Sequence, residues 1–292
     1  TGINFATEVE KGSDYTIERI KESIYSLYIK ENIGKDDIEA IGISCGGPLD
    51  QKRGLILSPP NLPGWDRIPI TDIISQEFGI NSFLENDANS SALAEWKQGA
   101  GRGYNNLIFL TFGTGLGAGL ILDGRLYRGS EGLAGEVGHI RLTKKGPIGY
   151  NKPGSFEGYC SGTGIANLAK IYLKKLNLAQ AFGKKRRFVT AKDVGNAAGQ
   201  GNDLARKILA ESGTYLGRGL SILIDTLNPE IIILGGIYVR CQNYIEPAAR
   251  RSIEKETLIQ TREKCQIVPA QLGEEIGDYA SLAVAIDNKN KL

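Results

Sequence analysis

Apolar residues recur at helical spacing in several stretches of the chain. Ile17, Ile20, Ile24, Leu27 and Tyr28 follow the polar pair Ser13-Asp14 and predict a first helix. Ile70, Ile73, Ile74 and Phe78 predict a second, and Ala92, Leu93 and Trp96 mark a third. Further helices are expected over 164–176, 191–198, 203–227 and 244–256, with one more after Asp278. Alternating or continuous apolar runs predict strands over 38–44, 82–85, 107–112, 119–122, 125–127 and 231–234, and another near Ile267. Asp123-Gly124 is a two-residue hairpin signal. The stretch Ser58-Pro59-Pro60-Asn61-Leu62-Pro63-Gly64-Trp65 is a shaped loop, because proline fixes φ and lacks the N–H that a helix or central strand needs.

Two of these strands, Ile41-Gly42-Ile43-Ser44-Cys45 and Ile231-Ile232-Ile233-Leu234, run into paired glycines, Gly46-Gly47 and Gly235-Gly236. Ligands of open α/β sheets bind beyond the carboxyl ends of strands. The repeat therefore predicts two related sheets, each offering bare backbone to a ligand. The polar, glycine-rich segment 99–106 is the expected boundary between them. The segment 129–162 is irregular and too long for an idle connection in a compact domain, which marks it as functional.

Composition narrows the classes. The chain has 292 residues, with 35 Lys and Arg against 33 Asp and Glu, a net charge of +2. That balance gives no electrostatic case for a nucleic-acid or membrane-surface partner. No apolar run approaches the roughly 20 residues that span a bilayer. Four cysteines without CxxC spacing read as reduced thiols in a cytoplasmic protein. The 38 glycines are bunched rather than scattered, as in turns that bring backbone close to a ligand. None of the residues is methionine; if methionines were present in a modified form that the sequence omits, some local spacings are one residue short.

Candidate chemistry clusters in four places. Phe112-Gly113-Thr114-Gly115-Leu116-Gly117-Ala118-Gly119 joins two strands, which argues against a dinucleotide fingerprint, which opens a helix, and against a Walker loop, which needs Gly-Lys-Ser/Thr. Converging backbone N–H groups in such a turn can still cradle phosphate. Asn86-Asp87 stands at a strand end before a helix, where an N-cap is the common role and a proton-accepting carboxylate the catalytic one. Glu136-Val137-Gly138-His139 holds the only histidine, outside any zinc-protease spacing. Glu157 is a further carboxylate in the irregular segment, where a solvated loop acid is the plain alternative.

In order, Gly46-Gly47-Pro48, Pro60-Asn61-Leu62-Pro63-Gly64-Trp65, Glu85-Asn86-Asp87-Ala88-Asn89, Gly113 through Gly119, Gly135-Glu136-Val137-Gly138-His139 and Leu234-Gly235-Gly236 cover nearly the whole chain. Together they resemble the repressor–ORF–kinase (ROK) family of sugar kinases. The resemblance implies an α/β, two-lobed actin-like or hexokinase-like (ribonuclease H-like) fold, with a mixed sheet in each lobe and a cleft between them. The smaller, sugar-binding lobe would comprise 1–103 plus 276–292, and the larger, nucleotide-binding and dimerisation lobe 104–275. It implies an ATP- and Mg2+-dependent hexose kinase, glucokinase-like, acting on the 6-hydroxyl, and a homodimer. Asp87 would be the catalytic base. Asn86, Glu136, His139 and Glu157 would hold sugar hydroxyls, with Gly47 and Asn61 near them. Gly113, Thr114 and Gly115 would line the phosphates, and Gly235 and Gly236 the adenosine.

Two departures qualify the resemblance. Many members carry a CxCGxxGC zinc motif, but here Ile148-Gly149-Tyr150-Asn151-Lys152-Pro153-Gly154-Ser155 supplies no cysteine. No structural zinc is expected, and the Lys152-Pro153 turn would stiffen the loop instead. The family's first hairpin, Asp-x-Gly-Gly-Thr, is absent, and the chain opens at Thr1-Gly2-Ile3-Asn4 as if at that hairpin's end. The alternatives are a sugar-responsive ROK-type regulator and a catalytically inactive sugar-binding protein.

Overall fold

The computed structural model of the chain describes residues 1–289. They fall into two compact units, residues 1–97 with the chain from Glu274 onward, and Gln98–Gly273. Of the expected segment 276–292, residues 290–292 lie outside the described residues.

In the first unit, helix α1 (Gly12–Glu31) places Ile17, Ile20, Ile24 and Tyr28 against the core and stops at Asn32, which is left-handed with φ 53°. Strand β1 (Ile41–Cys45) is followed by a three-stranded antiparallel meander, β2 (Leu49–Asp50), β3 (Leu55–Leu57) and β4 (Asp66–Pro69). The sequence pattern did not predict this meander, because strands of 2, 3 and 4 residues are too short to show a period. Helix α2 (Ile70–Phe78) buries Ile70, Ile74 and Phe78, each contributing about 2 kcal/mol of apolar burial. It leads to β5 (Ser82–Asn86), which pairs parallel with β1, Cys45 opposite Asn86. Helix α3 (Asp87–Gln98) starts directly at the end of β5. The C-terminal helix Ile276–Lys289 lies flush on β1, since a Cβ added at Gly42 would stand 1.9 Å from the Ser281 carbonyl oxygen.

The second unit is built on a five-stranded mixed sheet. Strands β6 (Leu107–Phe112), β7 (Leu116–Leu122) and β8 (Arg125–Leu126) run antiparallel. The irregular segment contains a small hairpin, β9 (Ile148–Gly149) with β10 (Lys152–Pro153), and then helices α4 (Phe156–Cys160) and α5 (Gly162–Lys175). A second hairpin, β11 (Gln180–Ala181) with β12 (Lys184–Lys185), precedes α6 (Ala191–Gly199) and α7 (Asp203–Leu227). Strand β13 (Ile231–Leu234), helices α8 (Ile237–Glu256) and α9 (Ile259–Arg262), and β14 (Gln266–Pro269) complete the unit. The sheet order is β14-β13-β6-β7-β8, with β14, β13 and β6 parallel. Ile108, Leu110, Phe112, Ile232 and Leu234 on these strands pack with Leu216, Leu220 and Ile245 on the helices.

Helix α8 begins immediately after Gly236, seven residues ahead of its sequence expectation at Tyr244. Polar Arg240, Gln242 and Asn243 mask its apolar period, and Cys241 is locally non-helical with φ −119°. The early start matters, because it puts a helix N-terminus directly on the second glycine pair.

Candidate active site

The register of the β1–β5 ladder decides what meets at its end in the first unit. With Cys45 opposite Asn86, the next residues on each strand, Gly46-Gly47 and Asp87, leave the sheet side by side. A Cβ on Gly46 would stand 3.9 Å from Asp87 Oδ2, and one on Gly47 would stand 3.6 Å from Asn86 Nδ2. The glycines leave that space open beside both side chains.

Asn86 and Asp87 divide two jobs that the sequence could not separate. Asn86 Oδ1 accepts the N–H of Ala88 at 2.9 Å and of Asn89 at 3.4 Å, which caps α3. Asp87 Oδ1 also accepts the Ala88 N–H at 2.9 Å, and Oδ2 is the oxygen directed toward Gly46. Behind them the buried Glu85 Oε1 accepts from the Asn86 N–H at 3.0 Å and from Asn89 Nδ2 at 2.9 Å, fixing the strand end from below. Asp87 is exposed as a residue, yet surrounding protein strips water from its carboxylate. That desolvation raises its pKa above the ordinary value, against the opposing pull of the Ala88 N–H, its own N–H and Asn86. Burial, aided by the Asp87 charge, also pushes the neighbouring Cys45 thiol up to about 11.

In the second unit, the parallel strands β6 and β13 deliver their carboxyl ends together, Leu110 beside Leu234. A Cβ on Gly236 would stand 2.2 Å from the Phe112 carbonyl oxygen, and its φ of 58° is in the region that favours glycine. The turn after β6 closes with the Gly113 N–H donating to the Gly115 carbonyl at 3.1 Å. A second Gly-Thr-Gly, at the start of α5, faces the first: Gly162 N–H donates to the Gly113 carbonyl at 2.7 Å and Thr163 N–H to the Thr114 carbonyl at 3.3 Å. Gly113, Thr114, Gly115, Gly235 and Gly236 therefore form one backbone-lined cluster, with the N-termini of α5 and α8 at its edge. The first N–H groups of α5 are taken up by the Gly113 and Thr114 carbonyls and by the Ser161 hydroxyl, so the N-terminus of α8, which follows Gly236 with no side-chain cap, is the helix end suited to an anion such as phosphate. The Gly162-Thr163-Gly164 partner escaped the sequence analysis, although it repeats the Gly113-Thr114-Gly115 string letter for letter.

The remaining candidates assemble around Gly138. Glu136 precedes the single turn Val137–His139 and His139 ends it, and both are exposed. A Cβ on Gly138 would stand 2.2 Å from the Leu116 carbonyl oxygen and 3.2 Å from Glu157 Cβ, so this turn lies on β7 and on α4 at once. Glu157 is a half-buried helix residue rather than a solvated loop acid, and its Oε2 accepts the Leu116 N–H at 3.1 Å. It thereby joins the Glu136–His139 turn to the glycine turn. Asn61 is exposed in the loop that Trp65 anchors, and no side-chain hydrogen bond links it to Asn86 or Asp87 among the described residues.

The segment 148–155 offers no thiolate to a zinc ion. Ile148 and Tyr150 are 53% and 68% exposed, and the fully buried Ser155 hydroxyl is committed to the Gly149 carbonyl and the Gly158 N–H. Burial holds the Cys160 thiol well above its ordinary pKa, and its Sγ points to the Ser212 carbonyl at 3.4 Å. No group of three His, Cys, Asp or Glu side chains is placed to hold a metal ion among the described residues.

Over residues 3–287 the chain matches the description of the ROK family. The chain belongs to the ROK family. It is 34% identical over 235 residues to a glucokinase of Thermotoga maritima, spanning 79% of this chain and 72% of that one. A crystal structure of a ROK family glucokinase from Streptomyces griseus, in complex with glucose and AMPPNP, superposes with TM-score 0.77 at 30% identity. That match covers 94% of this chain and 88% of the other. A xylose repressor of Caldicellulosiruptor bescii is 30% identical over 251 residues, 80% of this chain and 61% of the repressor. The α/β fold is the actin- and hexokinase-like one of the ROK kinase structures.

Proposed function

We propose that this ROK chain transfers the γ-phosphoryl group of ATP, taken up as its Mg2+ complex, to the 6-hydroxyl of a hexose, with Asp87 as general base. The observation that carries this reading is Asp87 itself. It is a desolvated carboxylate at a strand end, with one oxygen on a backbone N–H and the other beside the open Gly46. A base whose pKa is lifted toward working pH accepts a hydroxyl proton more readily. Phosphoryl transfer asks the protein mainly for positioning and charge stabilisation, with a base to orient and deprotonate the acceptor.

The other residues take positioning roles. Asn86 Nδ2, the backbone at Gly47, and Asn61 serve the sugar in the first unit. In the second unit, Glu136, His139 and Glu157 are assigned to sugar hydroxyls. The cluster of Gly113, Thr114 and Gly115 receives the phosphates, and Gly235 and Gly236 the adenosine. A Mg2+ ion bound with the nucleotide would supply charge neutralisation at the phosphates and would ask few carboxylates of the protein. The larger unit would also carry the contact of a homodimer, which sedimentation velocity tests directly. The four free cysteines suit a reducing, cytoplasmic setting, and no helix among the described residues is long and apolar enough to cross a membrane.

ADP release measured across a panel of hexoses with ATP tests the reading. Sugar-dependent ADP release supports it, and its absence for every hexose rejects it. The similarity to a xylose repressor keeps a second reading, a sugar-responsive regulator. That reading, like an inactive sugar-binding protein, predicts sugar binding with no ATP consumed.

A further inference from the structure

His139 is the only histidine of the chain, and its surroundings are unusual. Lys152 Nζ donates to the His139 carbonyl oxygen at 2.7 Å and approaches His139 Nδ1 at 3.3 Å. The Tyr150 ring meets the imidazole edge-on, with centroids 5.7 Å apart and planes at 69°. Both residues come from the β9–β10 hairpin, which is itself fastened on several sides. Gly154 N–H donates to the Pro147 carbonyl at 2.9 Å, Leu142 N–H to the Gly154 carbonyl at 2.8 Å, and Arg141 Nη1 to the Pro153 carbonyl at 2.7 Å. Lys152 thus reaches His139 from a braced platform.

An ammonium group has three donors and no acceptor. Opposite it, Nδ1 of a neutral imidazole must present its lone pair, which leaves the ring proton on Nε2. A metal ion on one ring nitrogen has the same consequence for the other. We propose that Lys152 is a positioning residue that takes the place of a metal ion at this loop. It holds the His139 backbone and fixes the imidazole as the Nε2–H tautomer, so that His139 meets a sugar hydroxyl as a hydrogen-bond donor. The sugar part of this statement rests on the function proposed above; the tautomer part does not.

A single histidine makes the test direct. Protein labelled with 15N-histidine shows one pair of ring nitrogens, whose shifts and couplings report which one bears the proton. Recorded well above the usual imidazole range, the wild-type protein shows the proton on Nε2. Lys152→Met shows a mixture of tautomers, and Lys152→Arg, which also only donates, restores the wild-type pattern. A wild-type proton on Nδ1, or a pattern unchanged in Lys152→Met, overturns the proposal. So does stoichiometric zinc retained by the wild-type protein after incubation with the ion and desalting. With glucose as the probe, Lys152→Met raises KM about tenfold, the size of one lost hydrogen bond, with a much smaller change in kcat; an unchanged KM removes the sugar part. If no hexose yields ADP, the kinase reading fails while the nitrogen spectra still decide the role of Lys152.

Discussion

Glu157 Oε2 accepts the backbone N–H of Leu116 at 3.1 Å, so the first residue of β7 is held by a carboxylate from α4. Gly138 of the Val137–His139 turn packs against both partners, since a Cβ there would stand 2.2 Å from the Leu116 carbonyl oxygen and 3.2 Å from Glu157 Cβ. Gly138→Ala forces backbone apart at a buried position, and overpacking of this kind costs about 2 kcal/mol. Urea denaturation should show that loss. A midpoint equal to wild type would mean that the turn is not held as described.

Asn86 is expected to matter for stability as well as for the sugar. Removing its side chain leaves the Asn89 N–H without its cap and takes one acceptor from Ala88. Asn86→Ala should lower stability by about 1 kcal/mol, the usual worth of an N-cap, and raise KM for the hexose. A raised KM at unchanged melting temperature would separate the two roles and deny the cap.

Gly236 tests the nucleotide side alone. Its positive φ and the Phe112 carbonyl oxygen leave no room for a side chain. Gly236→Ala should weaken binding of a non-hydrolysable ATP analogue by calorimetry while hexose affinity stays near wild type. Loss of hexose affinity with retained nucleotide binding would contradict the assignment of this cluster to the nucleotide.

How much of this was legible beforehand differs from one element to the next. The long periodic helices, the half-buried strand at residue 41 and the buried strands at 107 and 231 announced themselves, because burial on one or both faces writes a period into the sequence. The strand-end placement of Asn86-Asp87 and of Gly235-Gly236 followed from them. Register did not: that Cys45 lies opposite Asn86, bringing Gly46 to Asp87, is a pairing between distant segments that no local pattern encodes. The β2–β4 meander was too short to read, and the pairing of Gly162-Thr163 with Gly113-Thr114 needed the helix to be in place. Lys152 looked only like part of a turn, because its partner, the His139 carbonyl and ring, is thirteen residues away.

The raised pKa of Asp87 has a consequence for stability. Because the folded chain holds this proton more tightly than the unfolded one, the native state binds more protons between the ordinary carboxylate value and the raised one, and stability falls as pH rises through that interval. At neutral pH the ionised Asp87 is therefore a small cost to the fold. Asp87→Asn should raise the melting temperature at neutral pH, and the gain should vanish below the ordinary carboxylate range. A lower melting temperature at neutral pH would contradict desolvation as the main influence on this group.

Turnover by Asp87→Asn tests the central claim most directly. The variant keeps the shape of the side chain and an oxygen for the Ala88 N–H, while it removes the proton acceptor. It should bind the hexose within a few-fold of wild type and lose about 10²–10⁴ in kcat, the usual contribution of a general base. Turnover close to wild type, with sugar and ATP saturating, would remove Asp87 from the chemistry and the proposed mechanism with it.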